Sequence, residues 1–427
     1  MDRFAHLPTL ACALALVLGA PSSGHAQSTR AFHAARMLDV RSGEMLTDVT
    51  VLVEGDRIAA VNPARLPSGV EVVDMGDVTL LPGFMDLHTH LAGQLGPNSF
   101  TAPVTETLAD QAFHAAHYAR ITVMAGFTTV RDFGGDATVA LKHAQERGEV
   151  LSPRVVPSRN TLGITGGHCD ITGFAPGVLE TGPEDGIADG PWEVVKAVRY
   201  QIKHGAEVIK TCATAGVLSF EGPVGAQQYS FEELKAMVDE AARHGVKVAA
   251  HAHGTEGIKA AVRAGVASIE HGSILDDEAI ELMKEHGTYL VPTTYLAERI
   301  PLDVLPPPVR AKAETVLPQA RESLRRAIAA GVKIAFGTDA AVYPHGENAK
   351  EFEVLVRLGM SPLEALRTAT LYAADLLGKD DRGIIEPGRL ADLVAVPGNP
   401  LDDITATERV AWVVQGGKIV KRPHPAG

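Results

Sequence analysis

Cysteine is scarce in this chain, with Cys12, Cys169 and Cys212 the three in 427 residues. That scarcity excludes a disulfide framework, so stability must come from a buried apolar core. Cys169 and Cys212 are expected to be free thiols. A basic surplus is missing too. Acids outnumber bases 52 to 39, a formal net charge of -13. With no polybasic run to displace counterions, a nucleic-acid backbone and an anionic membrane surface are both excluded as partners. Low-complexity tracts are absent. The apolar run LACALALVLGA near the N-terminus is too short to span a bilayer.

What is present is the balance of an ordinary globular enzyme, 45% hydrophobic and 21% charged. The length suits one large α/β barrel or two to three smaller domains. Arg3 precedes the apolar run, and Gly24-His25-Ala26 places small residues where a signal peptidase reads. Residues 1–26 are therefore expected to be a secretory signal peptide cleaved before Gln27, making the mature chain secreted or periplasmic. No other segment predicts a membrane span.

Residues 27–80 and 385–427 are short β-rich segments punctuated by Gly, Pro and Asp. Neither is long enough for a stable sandwich alone, and together they predict one small β-sandwich domain. Between them, over 81–384, eight strand-like runs alternate with helical stretches. The runs are FMDLHTH, TTVRDFG, RVVPSRN, EVIKTCAT, KVAAHAHG, SIEHGS, YLVPTTY and KIAFGTDA. In SFEELKAMVDEAARHG, Ser230 stands three residues before Glu233, the pattern of a capping box. This alternation predicts a (β/α)8 TIM barrel. A doubly wound open sheet is the alternative, but no glycine-rich dinucleotide fingerprint follows its first strand.

Barrel active sites lie at the C-terminal ends of the strands. There the chain places His88 and His90, then Lys210, then His251 and His253, then His271, and finally Asp339. Each has a bland explanation alone: a hydrogen-bonded core histidine, a lysine paired with Glu207, an aspartate capping the next segment. Together they would leave a costly cluster of buried polar atoms unless something binds them. Two divalent cations would do so, and imidazole with oxygen donors suits zinc or manganese.

The motifs PGFMDLHTHL, VIKTCAT, VAAHAHG, SIEHGS and GTDA, with the flanking LADLVAV and VVQGGKIV, resemble the amidohydrolase superfamily over essentially the whole mature chain. The chain is most similar to its imidazolonepropionase-like and Xaa-Pro dipeptidase-like subgroup, and to the bacterial ochratoxin-hydrolysing members. The resemblance implies that His88, His90 and Asp339 hold a buried metal ion, that His251 and His271 hold a more exposed one, and that N-carboxylated Lys210 bridges them. It implies two zinc ions, an amide or dipeptide substrate, a homo-oligomer, and Asp339 as the group that moves the proton. In TGGHC it gives His168 the task of stabilising the oxyanion, with Cys169 where relatives would carry glycine. Tyr229 matches a residue that contacts the substrate carboxylate. His253 shares a strand face with His251 and is expected as a further substrate contact; for both Tyr229 and His253, support of the site from behind is the alternative. The Gly-, Pro- and Asp-rich stretch between Leu162 and Pro191 is expected to form a rim loop. A one-metal hydrolase or deaminase of cyclic amides is the alternative, which a carboxylated Lys210 disfavours. A scaffold without metals is a third, and no ligand is missing to support it.

Overall fold

The computed structural model describes residues 29–423, so the expected signal peptide lies outside the described residues. Strands β1 (Thr29–Leu38), β2 (Met45–Glu54), β3 (Arg57–Val61), β4 (Glu71–Asp74) and β5 (Val78–Pro82) come first. Next, β6 (Phe84–Thr89), β7 (Phe127–Asp132), β8 (Arg154–Pro157), β9 (Val208–Cys212), β10 (Lys247–Ala252), β11 (Ser268–His271) and β12 (Tyr289–Val291) alternate with helices. Strands β13 (Leu393–Pro397), β14 (Trp412–Gln415) and β15 (Lys418–Lys421) follow near the C-terminus.

The two ends of the chain share one eight-stranded sheet, in the order β15-β14-β13-β5-β1-β2-β3 with β4 paired to β1. Its junction is the antiparallel pairing of β5 with β13, where Leu80 faces Ala395. The β1–β2 pair sets Phe32 opposite Val51 and Ala34 opposite Val49. These residues, with Leu80, Leu393 and Val414, bury one apolar core. Neither end could cover that face alone.

The central strands are all parallel and form two sheets, β6-β7-β8 and β12-β11-β10-β9. Isolated parallel bridges connect them. Leu162 pairs with Thr211 beside β9, while Ile334 pairs with Leu290 of β12 and Ala340 with Thr89 of β6. Seven of the eight expected runs are thus regular strands. The eighth, KIAFGTDA, is held by separate bonds such as Leu87 N–H to Phe336 O (2.9 Å) and Asp339 N–H to His88 O (2.7 Å). A regular ladder is broken there because Asp339 takes φ 60° and Ala341 φ 123°. Gly337 also lies so close to its neighbours that a Cβ would sit 2.2 Å from Val291.

Helices span Gly190–Lys203 and Phe231–Arg243, the second within the expected SFEELKAMVDEAARHG. In the second, Ser230 and Glu233 make the reciprocal capping box, and Leu234, Met237 and Ala241 recur on its buried face. Glu233 also accepts from the N–H of Gly190 (2.7 Å), which ties the starts of the two helices together. The result is a mixed α/β molecule whose parallel strands all point their C-terminal ends the same way. Among the described residues no helix is long and apolar enough to cross a membrane.

Candidate metal centre

His88 and His90 are two residues apart at the end of β6, so both rings project from one side, with centroids 5.5 Å apart. Asp339 meets them from the neighbouring segment, its Oδ1 3.5 Å from His88 Nε2 and 3.2 Å from His90 Nε2. Lys210 Nζ, from β9, stands 3.5 Å from His88 Nε2. The His271 ring lies 5.0 Å from that of His88 and 4.7 Å from that of His251. All six residues line one cavity of about 880 Å³. The sequence thus brings together side chains from position 88 to position 339. Glu207, the alternative partner for Lys210, is engaged instead by Lys142 (3.2 Å).

A buried carboxylate orients the first ligand. Glu270 accepts from His88 Nδ1 (2.9 Å), from Arg131 (2.7 Å) and from Ser268 (2.5 Å). Burial would raise its pKa, but the charges of Arg131 and Lys210 hold it down at about 2. An ionised Glu270 can only accept, so His88 carries its proton on Nδ1 and presents Nε2 as a lone pair. Two further rings are also held through Nδ1, His271 by Thr293 Oγ1 (2.8 Å) and His253 by Ser273 Oγ (2.7 Å). Glu270 and Arg131 were not singled out from sequence. A glutamate inside the apolar run SIEHGS was the available signal, since an unpaired buried acid is too costly to be incidental.

The electrostatics suit cations. Burial pushes His88 down to about 4, His253 to about 3, and His251 and His271 well below the usual imidazole range. Neutral imidazole is the form that binds a metal. Burial also lowers Lys210 to about 8. Burial raises the Asp339 carboxyl, but the rings of His88 and His90 more than offset this and keep it ionised. His251 Nε2 is buried with no hydrogen-bond partner, an orphan that a bound ion would satisfy. Among the described residues, two groups have donor atoms close enough to hold an ion: His88, His271 and Asp339, and His251, His253 and His271. His253, expected only as a substrate contact, therefore also stands within ligand distance of the second position.

Strain marks the same place. His271, Thr293 and Asp339 have φ of 71°, 54° and 60°, a region that costs side-chain-bearing residues about 1–3 kcal/mol each. For β-branched Thr293 it is a genuine outlier. These three are two candidate ligands, His271 and Asp339, and the hydrogen-bond partner of His271.

His168 reaches the cavity from the irregular rim loop, its ring centroid 4.3 Å from that of His251. Its Nδ1 meets Ser219 Oγ (2.6 Å), which donates in turn to Glu221 (2.5 Å), two residues absent from the sequence reading. The ring lines the cavity. Gly216 makes this possible, because a Cβ there would lie 2.2 Å from His168 Cε1.

Two expectations are corrected. Tyr229 is fully buried, its hydroxyl donating to Ala188 O (3.0 Å), and it does not line the cavity. It braces the end of the rim loop instead of meeting substrate. Cys169 and Cys212 are not free thiols but a disulfide, because the loop brings their Cα atoms to 5.9 Å across 43 residues of sequence.

Comparison with known proteins gives the same picture. The amidohydrolase family profile matches residues 79–420. The chain is 37% identical over 368 residues to ochratoxinase from Aspergillus niger, covering 81% of this chain and 76% of that one. A solved Xaa-Pro dipeptidase with methionine bound in its active site is similar at TM-score 0.87 and 40% identity, over 92% of this chain and 99% of that one. The crystal structure of A. niger ochratoxinase is similar at TM-score 0.84 and 34% identity, over 93% and 96%. The likeness carries the TIM-barrel-like α/β fold with it. The chain belongs to the amidohydrolase family, in the company of Xaa-Pro dipeptidases and ochratoxinase, and is a hydrolase of amide bonds.

Proposed function

We propose that this chain is a binuclear metal-dependent amidohydrolase that cleaves the amide linking an acyl or aminoacyl group to a C-terminal amino acid, with ochratoxin A among its substrates. The observation that carries the reading is the convergence of His88, His90, Lys210, His251, His271 and Asp339 on one cavity. His88, His90 and Asp339 would hold one ion, and His251 and His271 the other. Lys210 would bridge them as a carbamate, which offers each cation an oxygen where an ammonium would repel both. Its lowered pKa supports this, since the neutral amine is the form that combines with CO2. Zinc suits the imidazole and carboxylate donors.

Bound divalent ions supply Lewis acidity and a water that ionises near neutral pH. Asp339 takes the proton of the attacking water and returns it to the leaving amine. His168 would stabilise the oxygen that gains charge as an imidazolium, with Nδ1–H held by Ser219, which itself donates to Glu221, and Nε2–H facing that oxygen. His253, fixed by Ser273, meets substrate from β10.

Around this site the chain closes into a (β/α)8 barrel over 81–384, a reading supported by the parallel bridges. Residues 27–80 and 385–427 are its β-sandwich domain. Exposed Trp192 and Phe113 support a homo-oligomer, and the disulfide supports export behind the leader peptide 1–26.

The test is metal analysis of the purified protein together with amine release from N-acyl amino acids, Xaa-Pro dipeptides and ochratoxin A. Close to two divalent ions per chain are expected, with rates that depend on the α-carboxylate. Protein grown with added metal and bicarbonate that holds none would sink the binuclear reading. Equal rates on neutral amides would sink the preference for C-terminal amino acids.

A further inference from the structure

The Cys169–Cys212 disulfide lies in the wall of the cavity, where it joins two parts of the site. Cys212 is two residues beyond Lys210 on β9, so both side chains share the strand face that lines the cavity. Cys169 directly follows His168. Between β8 and the helix Gly190–Lys203 the chain has no regular helix or strand, and it turns on Gly166, Gly173, Gly177 and Gly186 at positive φ. The polar anchors of His168 are Gln228 Oε1 on its N–H (3.1 Å) and Ser219 on its ring, both from the next irregular stretch. The disulfide instead fastens the loop to a strand. The close fit of Gly163, where a Cβ would sit 2.8 Å from that of Cys169, leaves the loop room to reach it.

We propose that this disulfide is a positioning device that holds the His168 imidazole at the cavity wall, and that its reduction disables turnover while the metal centre stays assembled. The inference rests on the role assigned to His168 above. In forming it, the two thiols lose two electrons and two protons, taken up by a disulfide oxidant that becomes two thiols. A dithiol reverses the exchange and is itself left as a disulfide.

Peptide mass analysis of the full-length protein, unreduced, should find 169 and 212 cross-linked; two freely alkylated thiols after oxidative expression overturn the proposal. For the role, dithiothreitol-treated protein and the double variant Cys169→Ser/Cys212→Ser are compared with His168→Ala. Treated protein serves if the double variant folds poorly. Both should lose about 10- to 100-fold in kcat, the scale of a misplaced reacting group, with KM and metal content little changed. His168→Ala added to the double variant should cost little more, because both losses pass through one ring. Full multiplication of the two losses, or an undiminished kcat in the double variant beside an impaired His168→Ala, overturns the positioning role and leaves the proposed function standing. A fully active His168→Ala overturns the role of His168 and this inference together.

Discussion

Two buried carboxylates at the centre, Glu270 and Asp339, have different surroundings and so different tasks. Glu270 spends its charge on Arg131, Ser268 and His88, and has no oxygen left for an ion. Asp339 faces only the rings and the cavity, and keeps its carboxylate available. Replacing Glu270 by Gln should therefore leave every ligand in place yet weaken divalent-ion affinity about 10- to 100-fold, the usual effect of losing a ligand's orienting partner. Competition with a chromophoric chelator reads this directly, and unchanged affinity would remove Glu270 from the centre. At this scale the sequence was legible where a residue type was out of place. Histidine, lysine and aspartate at the ends of apolar runs are hard to explain without a common ligand. It was not legible where function depends on a partner from another strand, as with Glu270 and Arg131. Tyr229 was misplaced because a motif supplies the residue type but not the acceptor its hydroxyl finds. Whether the cysteines pair was not legible, because 43 residues of separation say nothing about the 5.9 Å between their Cα atoms.

Strands and helices were read well where local rules act alone, as in the Ser230–Glu233 box. The eighth run failed as a regular strand because its conformation is set by the site: Asp339 is turned to φ 60° toward the rings of β6. A related steric demand falls on Gly216. Its replacement by Ala puts a Cβ where the His168 ring now lies, and the ring is the part free to move. We expect Gly216→Ala to cut kcat about 10- to 100-fold with little change in melting temperature, as a displaced reacting group does. A large loss of stability with normal turnover per folded molecule would contradict this. Between the paired helices, Arg199 donates to Glu240 (2.6 Å), aided by Arg243 (2.7 Å), and these bonds hold the carboxyl at about 2. Unfolded, the group titrates near about 4.3. The folded value is the lower, so its stabilisation is complete above about 4.3 and disappears as pH falls towards 2. Denaturant midpoints of Glu240→Gln should accordingly lie below wild type at pH 7, and the gap should narrow below about pH 4 and close only as pH falls through about 2. A gap that persists unchanged in acid would rule out the ion pair as its source.

At the scale of the whole molecule, chain ends and the candidate metal ligands obey one logic: residues far apart in sequence are useful only once the fold is complete. The β5–β13 junction closes the terminal sheet, and the candidate ligands from positions 88 to 339 meet only when the parallel strands are in register. An unfolded chain presents those donors singly. Among those donors the closely spaced pairs are His88 with His90 and His251 with His253. Ions held by the proposed centre must then bind the native state almost exclusively, and they stabilise it by about 4 kcal/mol when present at a thousand times their dissociation constant. Stripping them with a chelator should lower the unfolding temperature by several degrees, about what such a free energy yields in a chain of this size. The far-UV circular dichroism should stay native, because neutral imidazoles and the Glu270–Arg131 pair can remain buried without the ions. Zinc should restore the temperature in proportion to occupancy, and bicarbonate should be needed for full recovery, since the bridging carbamate draws on CO2. A stripped protein that melts at the holoprotein's temperature would mean that whatever ions it carried sat elsewhere.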